Sequence, residues 1–375
     1  MTTKQQDLAG PGISTYEEVA KVLPRNYESL LTPKETMKAV FGVINYIEEN
    51  LCKELNLMKV QGPLLVDRDS GVNDTLDRDG SRTPVDFPCG LGLPKRMDAQ
   101  VVQAATKWKR MALKTFDMGV GEGLNTDMKA VRKDYFLDHD HSAYVDQWDW
   151  EKTIDASMRN LDFLTDTVKR IWKVFVGAEE YAQDMFPQLK DPRFPDLPKE
   201  LTFIHAEDIL EMYPDLPRKQ RETRLIQEYP AVFIYGIGWP LADGYPHELR
   251  AADYDDWVTE TVSKDGSPMH GLNGDILVYN HVTQRRHELS SMGIRVTKET
   301  LLRQLEMSGQ MHLVDQPYHR AILNDEIPLS IGGGIGQSRV YMLLLRKAHL
   351  GEVGVTIWPK ELRDICSERN IHVLQ

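Results

Sequence analysis

The sequence predicts an α+β fold, an antiparallel sheet flanked by helices, on three observations. Strand-like and helix-like segments are mixed without a regular βαβ rhythm. Residues 232–238 and 275–278 read as buried strands, and 289–296 reads as a hairpin partner of the second. Over 375 residues the chain is 41% hydrophobic and 27% charged, an ordinary globular balance. That length permits one large domain or two of average size, and residues 15–375 are read as one unit behind a polar, flexible tail at 1–14.

Taken in order, the first strong signal is a helix start. Thr32, Pro33 and Glu35 stand at N-cap, N1 and N3 of a capping box. Met37, Val40, Phe41, Ile44, Ile47, Leu51 and Leu55 follow at helical spacing, and Asn56 is placed to end the helix. Residues 57–66 read as a strand whose Pro63 suits an edge or a bulge. A long helix feeding an edge strand is a plausible dimer element. Residues 98–116 read as a helix capped by Asp98, 143–150 as an alternating strand, and 153–185 as an amphipathic helical region. Residues 186–201 hold four prolines and read as a surface connection. Residues 332–345 read as a glycine turn entering a helix.

Charge and cysteine usage narrow the class. The net charge is −12, from 57 acidic and 45 basic side chains, which disfavours a phosphate backbone as partner. Cys52, Cys89 and Cys366 are odd in number and share no CxxC spacing, so a reducing, cytoplasmic setting is expected. Met1 to Asp7 lack an apolar signal core. The apolar stretch at 231–242 is too short and glycine-rich to span a bilayer.

Three patterns point to chemistry. Ile331-Gly332-Gly333-Gly334-Ile335-Gly336-Gln337-Ser338-Arg339 fits neither a P-loop nor GxGxxG. It reads either as a tight strand-to-helix turn or as a platform letting backbone approach a flat ligand, with Arg339 reaching a polyphosphate. Asp275 and Glu288 stand on neighbouring strands, either as exposed charges or as oxygen ligands for Mg2+. In Tyr144-Val145-Asp146-Gln147-Trp148-Asp149-Trp150-Glu151, period two puts Gln147 and Asp149 on one face and both tryptophans on the other, either as an ordinary half-exposed strand or as a polar pair facing a site. Two further patterns read as bland. Asp138-His139-Asp140-His141 looks metal-like but fits a solvated loop, and the basic run Arg218 to Arg224 fits a solvated helix face.

These blocks occur in the order expected of class II aminoacyl-tRNA synthetases. The Pro63 region is similar to their motif 1, Arg132 to Asp149 to motif 2, and Gly334 to Arg339 to motif 3. A closer resemblance is to the ammonia-dependent asparagine synthetases. It rests on Lys107-Trp108-Lys109-Arg110, Gly121-Glu122-Gly123-Leu124, Tyr144 to Glu151, Asp253-Tyr254-Asp255-Asp256-Trp257, Gly271 to Val278, Glu288 to Arg295, and Gly332 to Arg339. It spans about residues 28–360. The chain departs from the family at Gln103-Ala104, where the family has His-Ser. It also looks longer after Trp257, in the tail and at 77–94.

The resemblance implies a class II synthetase-like catalytic domain converting L-aspartate, ammonia and ATP, with Mg2+, to asparagine through β-aspartyl-AMP. It implies Asp74 as the group handling ammonia, Arg132 on the α-phosphate, Gln147 at the acyl phosphate and Arg339 on the polyphosphate. Lys109, Asp149, Asp255, Ser290, Ser291, Arg295 and Gly334 would line the aspartate and nucleotide pocket, with Asp275 and Glu288 on the metal. It also implies a homodimer. The alternatives are an aspartate- or asparagine-type tRNA synthetase and a non-catalytic paralogue. The first would need an anticodon-binding segment, and the second commonly loses the arginines retained here as Arg132 and Arg339. With Thr2 following Met1, no cysteine-dependent glutaminase is expected.

Overall fold

The structure is a computed structural model describing residues 12–76, 82–92, 96–263 and 266–375. Residues 1–11 of the expected tail, Asp77 and residues 93–95 lie outside the described residues. The strands are β1 (Leu57–Val60), β2 (Leu65–Asp67), β3 (Val85–Cys89), β4 (Met97–Val101), β5 (Gly123–Val131), β6 (Tyr144–Thr153) and β7 (Thr202–His205). They continue with β8 (Ala231–Tyr235), β9 (Glu260–Val262), β10 (Pro268–His270), β11 (Asn273–Asn280), β12 (Arg285–Ile294) and β13 (Ser330–Gly336). Eight of them form one sheet in the order β1-β5-β6-β13-β12-β11-β8-β7. Its inner pairs are antiparallel, while β1 on β5 and β7 on β8 are parallel. β2-β4-β3 make a smaller sheet, and β9 pairs with β10.

The helix Pro33–Leu55 starts as its sequence dictates. Thr32 and Glu35 complete a capping box, and Asn56 closes the helix in the left-handed region at φ 57°. It packs with the helix Leu161–Met185 on one face of the sheet, where Trp148 and Trp150 are fully buried among Val43, Ile47, Leu51, Ile171 and Phe175. Truncating either tryptophan to alanine removes about 3–5 kcal/mol. Alternation along β6 therefore commits Gln147, Asp149 and Glu151 to the opposite face.

Five expectations are corrected. Residues 57–66 are two strands in two sheets, because Pro63 has no N–H to continue the ladder. The helix expected from Asp98 starts at Thr106, since residues 97–101 form the middle strand of the small sheet. Ala105 at its N-cap offers no side-chain acceptor, and Asp74 Oδ2 instead accepts from the Thr106 amide at 2.7 Å. The 153–185 helix begins only at Leu161, where Asn160 caps it by accepting from the Phe163 amide. The glycine block is the central strand β13, and its helix, Gln337–Leu344, follows. The basic run on the helix Arg218–Glu228 is not simply solvated. Arg218, Arg221 and Glu222 are buried, with Arg218 forked onto Asp243 and Glu222 paired with Arg286.

Candidate active site

The face of β6 opposite the tryptophans meets β13 strand to strand, and the glycines explain how polar side chains fit there. A Cβ on Gly332 would lie 1.9 Å from Glu151 Oε2, and one on Gly334 would lie 2.9 Å from Gln147 Oε1 and 3.1 Å from Asp149 Oδ1. Side chains of β6 thus lie across backbone that only glycine leaves clear.

Two buried charge clusters occupy this face. Lys109 donates to Asp149 and, at 2.8 Å, to the Gly333 carbonyl. Arg295 donates to Glu151 through Nε at 2.9 Å and Nη2 at 2.8 Å, and through Nη1 to Asp255. Ser330 Oγ also donates to Glu151, at 2.7 Å. Burial pushes the Glu151 carboxyl up, but Arg295 outweighs it and holds it below the usual range. Burial keeps Asp255 above that range despite Arg295 and Arg250. Glu151 was missed as a site residue in the sequence, although period two from Gln147 and Asp149 points to it.

Asp74 approaches from the connection between β2 and β3 of the small sheet. It is 3% exposed, and its Oδ1 has no hydrogen-bond partner. Burial pushes its carboxyl up to about 6, with Lys107 opposing and Asp253 reinforcing. Lys107 Nζ lies 2.9 Å from Asp253 Oδ2, and His319 Nε2 lies 3.2 Å from the same oxygen. Gln103, where the chain departs from the family, contacts both Asp74 and Arg132. Its Nε2 donates to the Asp74 carbonyl at 3.3 Å, and its own carbonyl accepts from Arg132 Nε at 3.1 Å.

Arg132 and Arg339 both border the loop joining β5 to β6. Arg132 opens that loop. Arg339 Nε donates to the Asp140 carbonyl at 3.3 Å, its Nη1 donates to the Glu288 carbonyl at 3.2 Å, and its Nη2 lies 3.3 Å from His141 Nε2. Asp138 and His139 of the same loop are each 3% exposed, so the solvated-loop reading of this run is corrected. Burial pulls the His141 imidazole down, but Asp140 and Asp138 outweigh it and lift it to about 9.

Asp275 and Glu288 lie on the paired strands β11 and β12. Glu288 Oε1 is 3.8 Å from Arg339 Nη1. Asp275 is paired through Oδ2 with Arg250, while its buried Oδ1 has no hydrogen-bond partner. Burial drives the Asp275 carboxyl up to about 7, Arg250 opposes this, and Glu288 adds to it. Two carboxylates so placed suit a cation with oxygen ligands.

Register separates the two serines. Ser291 faces Asp275 and Gly334, on the polar face. Ser290 lies opposite Ile276 and Ile335, on the tryptophan face, and donates to the Gly334 carbonyl at 3.0 Å. It supports the glycine strand from behind and does not share the polar face. Arg110, next after Lys109, instead lines a separate cavity of about 360 Å³ beside Thr297 and Lys298.

Comparison with known proteins agrees with this architecture. The family model for aspartate-ammonia ligase matches residues 34–370. An aspartate–ammonia ligase of Bacteroides fragilis is 46% identical over 94% of this chain and 99% of its own length. One from Clostridium perfringens is 43% identical over 94% and 98%. Among solved structures, asparaginyl-tRNA synthetase from Pyrococcus horikoshii complexed with asparaginyl-adenylate has a TM-score of 0.61 at 14% identity, covering 86% of this chain and 68% of its own. Aspartyl-tRNA synthetase from Entamoeba histolytica has a TM-score of 0.56 at 16% identity, with 85% of this chain and 57% of its own covered. The synthetases share the fold, a class II antiparallel sheet, and are longer than this chain. With the family model covering most of its length and close relatives aligned nearly end to end, the chain belongs to the aspartate–ammonia ligase family.

Proposed function

We propose that the enzyme makes asparagine from L-aspartate, ammonia and ATP through β-aspartyl-AMP, releasing pyrophosphate and then AMP. The observation that carries this reading is the buried Asp74 carboxylate, whose Oδ1 has no partner, set among Lys107, Lys109 and Asp253. Ammonium is the bulk species at neutral pH and cannot attack until it loses a proton. Capping the helix at Thr106 uses only Oδ2, and a tRNA hydroxyl as acceptor would not call for the second, unpartnered oxygen as a base for ammonium.

In the first step a β-carboxylate oxygen of aspartate bonds to the α-phosphorus, and the bond to pyrophosphate breaks. Charge grows on phosphate oxygens, so Arg132 and Arg339 stabilise the transition state more than the ground state. Lys109 and Arg295 supply cations for the substrate's carboxylates, with Asp149, Asp255 and Glu151 holding them in place. Asp275 and Glu288 suit Mg2+, which would neutralise developing phosphate charge. In the second step ammonium gives a proton to Asp74, and the nitrogen lone pair attacks the acyl carbon near Gln147. AMP leaves with the bonding pair, and the nitrogen passes its extra proton to water.

The reading includes a homodimer. Edge strand β1 and the helix Pro33–Leu55 expose Met58 at 46% and Phe41 at 64%, apolar area that a second copy would cover. No helix among the described residues is long and apolar enough to cross a membrane, and a cytoplasmic setting is part of the proposal.

The deciding assay incubates the enzyme with ATP, aspartate and ammonium without tRNA. Asparagine, AMP and pyrophosphate in equal amounts support the reading. ADP as product, or turnover only with tRNA, overturns it. Light scattering at two concentrations reads the dimer.

A further inference from the structure

The β5–β6 loop carries a cluster that the proposed reaction does not use. Asp138, His139 and Asp140 each offer one atom, and all three atoms lie within 4.8 Å of one another. The loop is held from within and without. Asp138 Oδ1 accepts from the Asp140 and His141 amides, each at 2.9 Å. The Leu350 amide donates to the His139 carbonyl at 3.0 Å.

Acidic clusters are common, and this one gains weight from His139. That side chain is 3% exposed, yet its Nδ1 has no hydrogen-bond partner. Burying such a nitrogen unpaired costs about 1–3 kcal/mol. Nδ1 stands 3.7 Å from Asp138 Oδ1 and 3.9 Å from Asp140 Oδ1. Those separations are too long for hydrogen bonds. They are close to the edge of a tetrahedron around a metal, about 3.4 Å for ligands about 2.0–2.2 Å from the ion. Each nitrogen-to-oxygen separation exceeds that edge by about 0.3–0.5 Å, so the three side chains would draw together around an ion.

We propose that Asp138, His139 and Asp140 form a divalent-cation site for an ion that accepts nitrogen as well as oxygen ligands, of the Zn2+, Co2+ or Mn2+ class. A histidine ligand separates this site from the oxygen pair Asp275 and Glu288, which suits Mg2+. His141 Nδ1 lies 2.9 Å from Asp140 Oδ1 and 3.1 Å from Asp138 Oδ1, so it contacts both carboxylates. Because Arg339 donates to the Asp140 carbonyl, the ion fixes the loop segment against which Arg339 is set.

The test titrates Co2+ into nucleotide-free protein in excess Mg2+ and follows the visible d–d absorption that low-coordinate Co2+ with a nitrogen ligand gives. The expected result is one saturable equivalent that excess Mg2+ does not displace, with affinity at least about tenfold weaker in both His139→Gln and Asp140→Asn. Circular dichroism confirms that each variant is folded. If His139→Gln does not fold, Asp140→Asn, at a half-buried position, carries the test alone. Absence of a saturable band, displacement by Mg2+, or unchanged affinity in a folded variant overturns the site.

Discussion

Asp74→Asn separates what this carboxylate does for stability from what it does for chemistry. In the folded protein burial lifts its pKa from 3.8 to about 6. At about 1.4 kcal/mol per unit, keeping it charged costs the folded state about 3 kcal/mol at pH 8. The sign follows from the raised value. The cost is absent below 3.8, grows as pH rises, and is complete above about 6. Asparagine retains an oxygen to accept from the Thr106 amide and carries no charge. The variant should therefore be more stable than the parent by about 3 kcal/mol at pH 8, or about 4 °C in melting temperature for a chain of this length. The difference should shrink as pH falls from 6 towards 4. The same change removes the proton acceptor, so amide formation should fall about 10²–10⁴-fold while aspartate-dependent pyrophosphate exchange persists. Denaturation at pH 8, 6 and 4.5, with the two half-reactions assayed separately, reads all of this. A variant less stable than the parent at pH 8, or one losing both half-reactions equally, would refute the reasoning.

Four other outcomes follow from the same contacts. Arg132→Ala and Arg339→Ala should each lower pyrophosphate release by about 10²–10³-fold, on the order of 3–4 kcal/mol, in protein that circular dichroism shows to be folded; wild-type release in either removes that arginine from the mechanism. Glu151→Gln leaves the buried Arg295, 2% exposed, short of its forked partner and should cost about 3–5 kcal/mol in urea unfolding; a loss below 1 kcal/mol shows the pair to be dispensable. Gly332→Ala places a methyl 1.9 Å from Glu151 Oε2 and should yield little folded protein, which soluble yield and circular dichroism will report. Asp275→Asn should raise the Mg2+ concentration for half-maximal adenylation at least about tenfold; an unchanged Mg2+ dependence assigns the cation elsewhere.

Much of the polar face was legible because its rules are local. Thr32 and Glu35 signal a helix start over a few residues, and alternation from Gln147 to Trp150 sorts the two faces of β6. What was illegible depends on partners far along the chain. The cap of the helix at Thr106 comes from Asp74, 32 residues earlier, so spacing misplaced the start at Asp98. The glycines of β13 looked like a turn, because the side chains that demand them belong to β6 and β12. Ser290 and Ser291 are adjacent, and only the register to β11 and β13 shows which one joins the polar face. The Asp138–His141 run looked solvated because its burial is imposed by Arg339 and residue 350, which follow it by some 200 positions.

The proposed adenylate can be read directly with aspartate carrying 18O in its β-carboxylate. Attack of that oxygen on the α-phosphorus, followed by displacement with ammonia, must leave one labelled oxygen on the phosphate of each AMP released. Mass spectrometry of the AMP should find one 18O per molecule. Unlabelled AMP, or label in inorganic phosphate, would contradict the account.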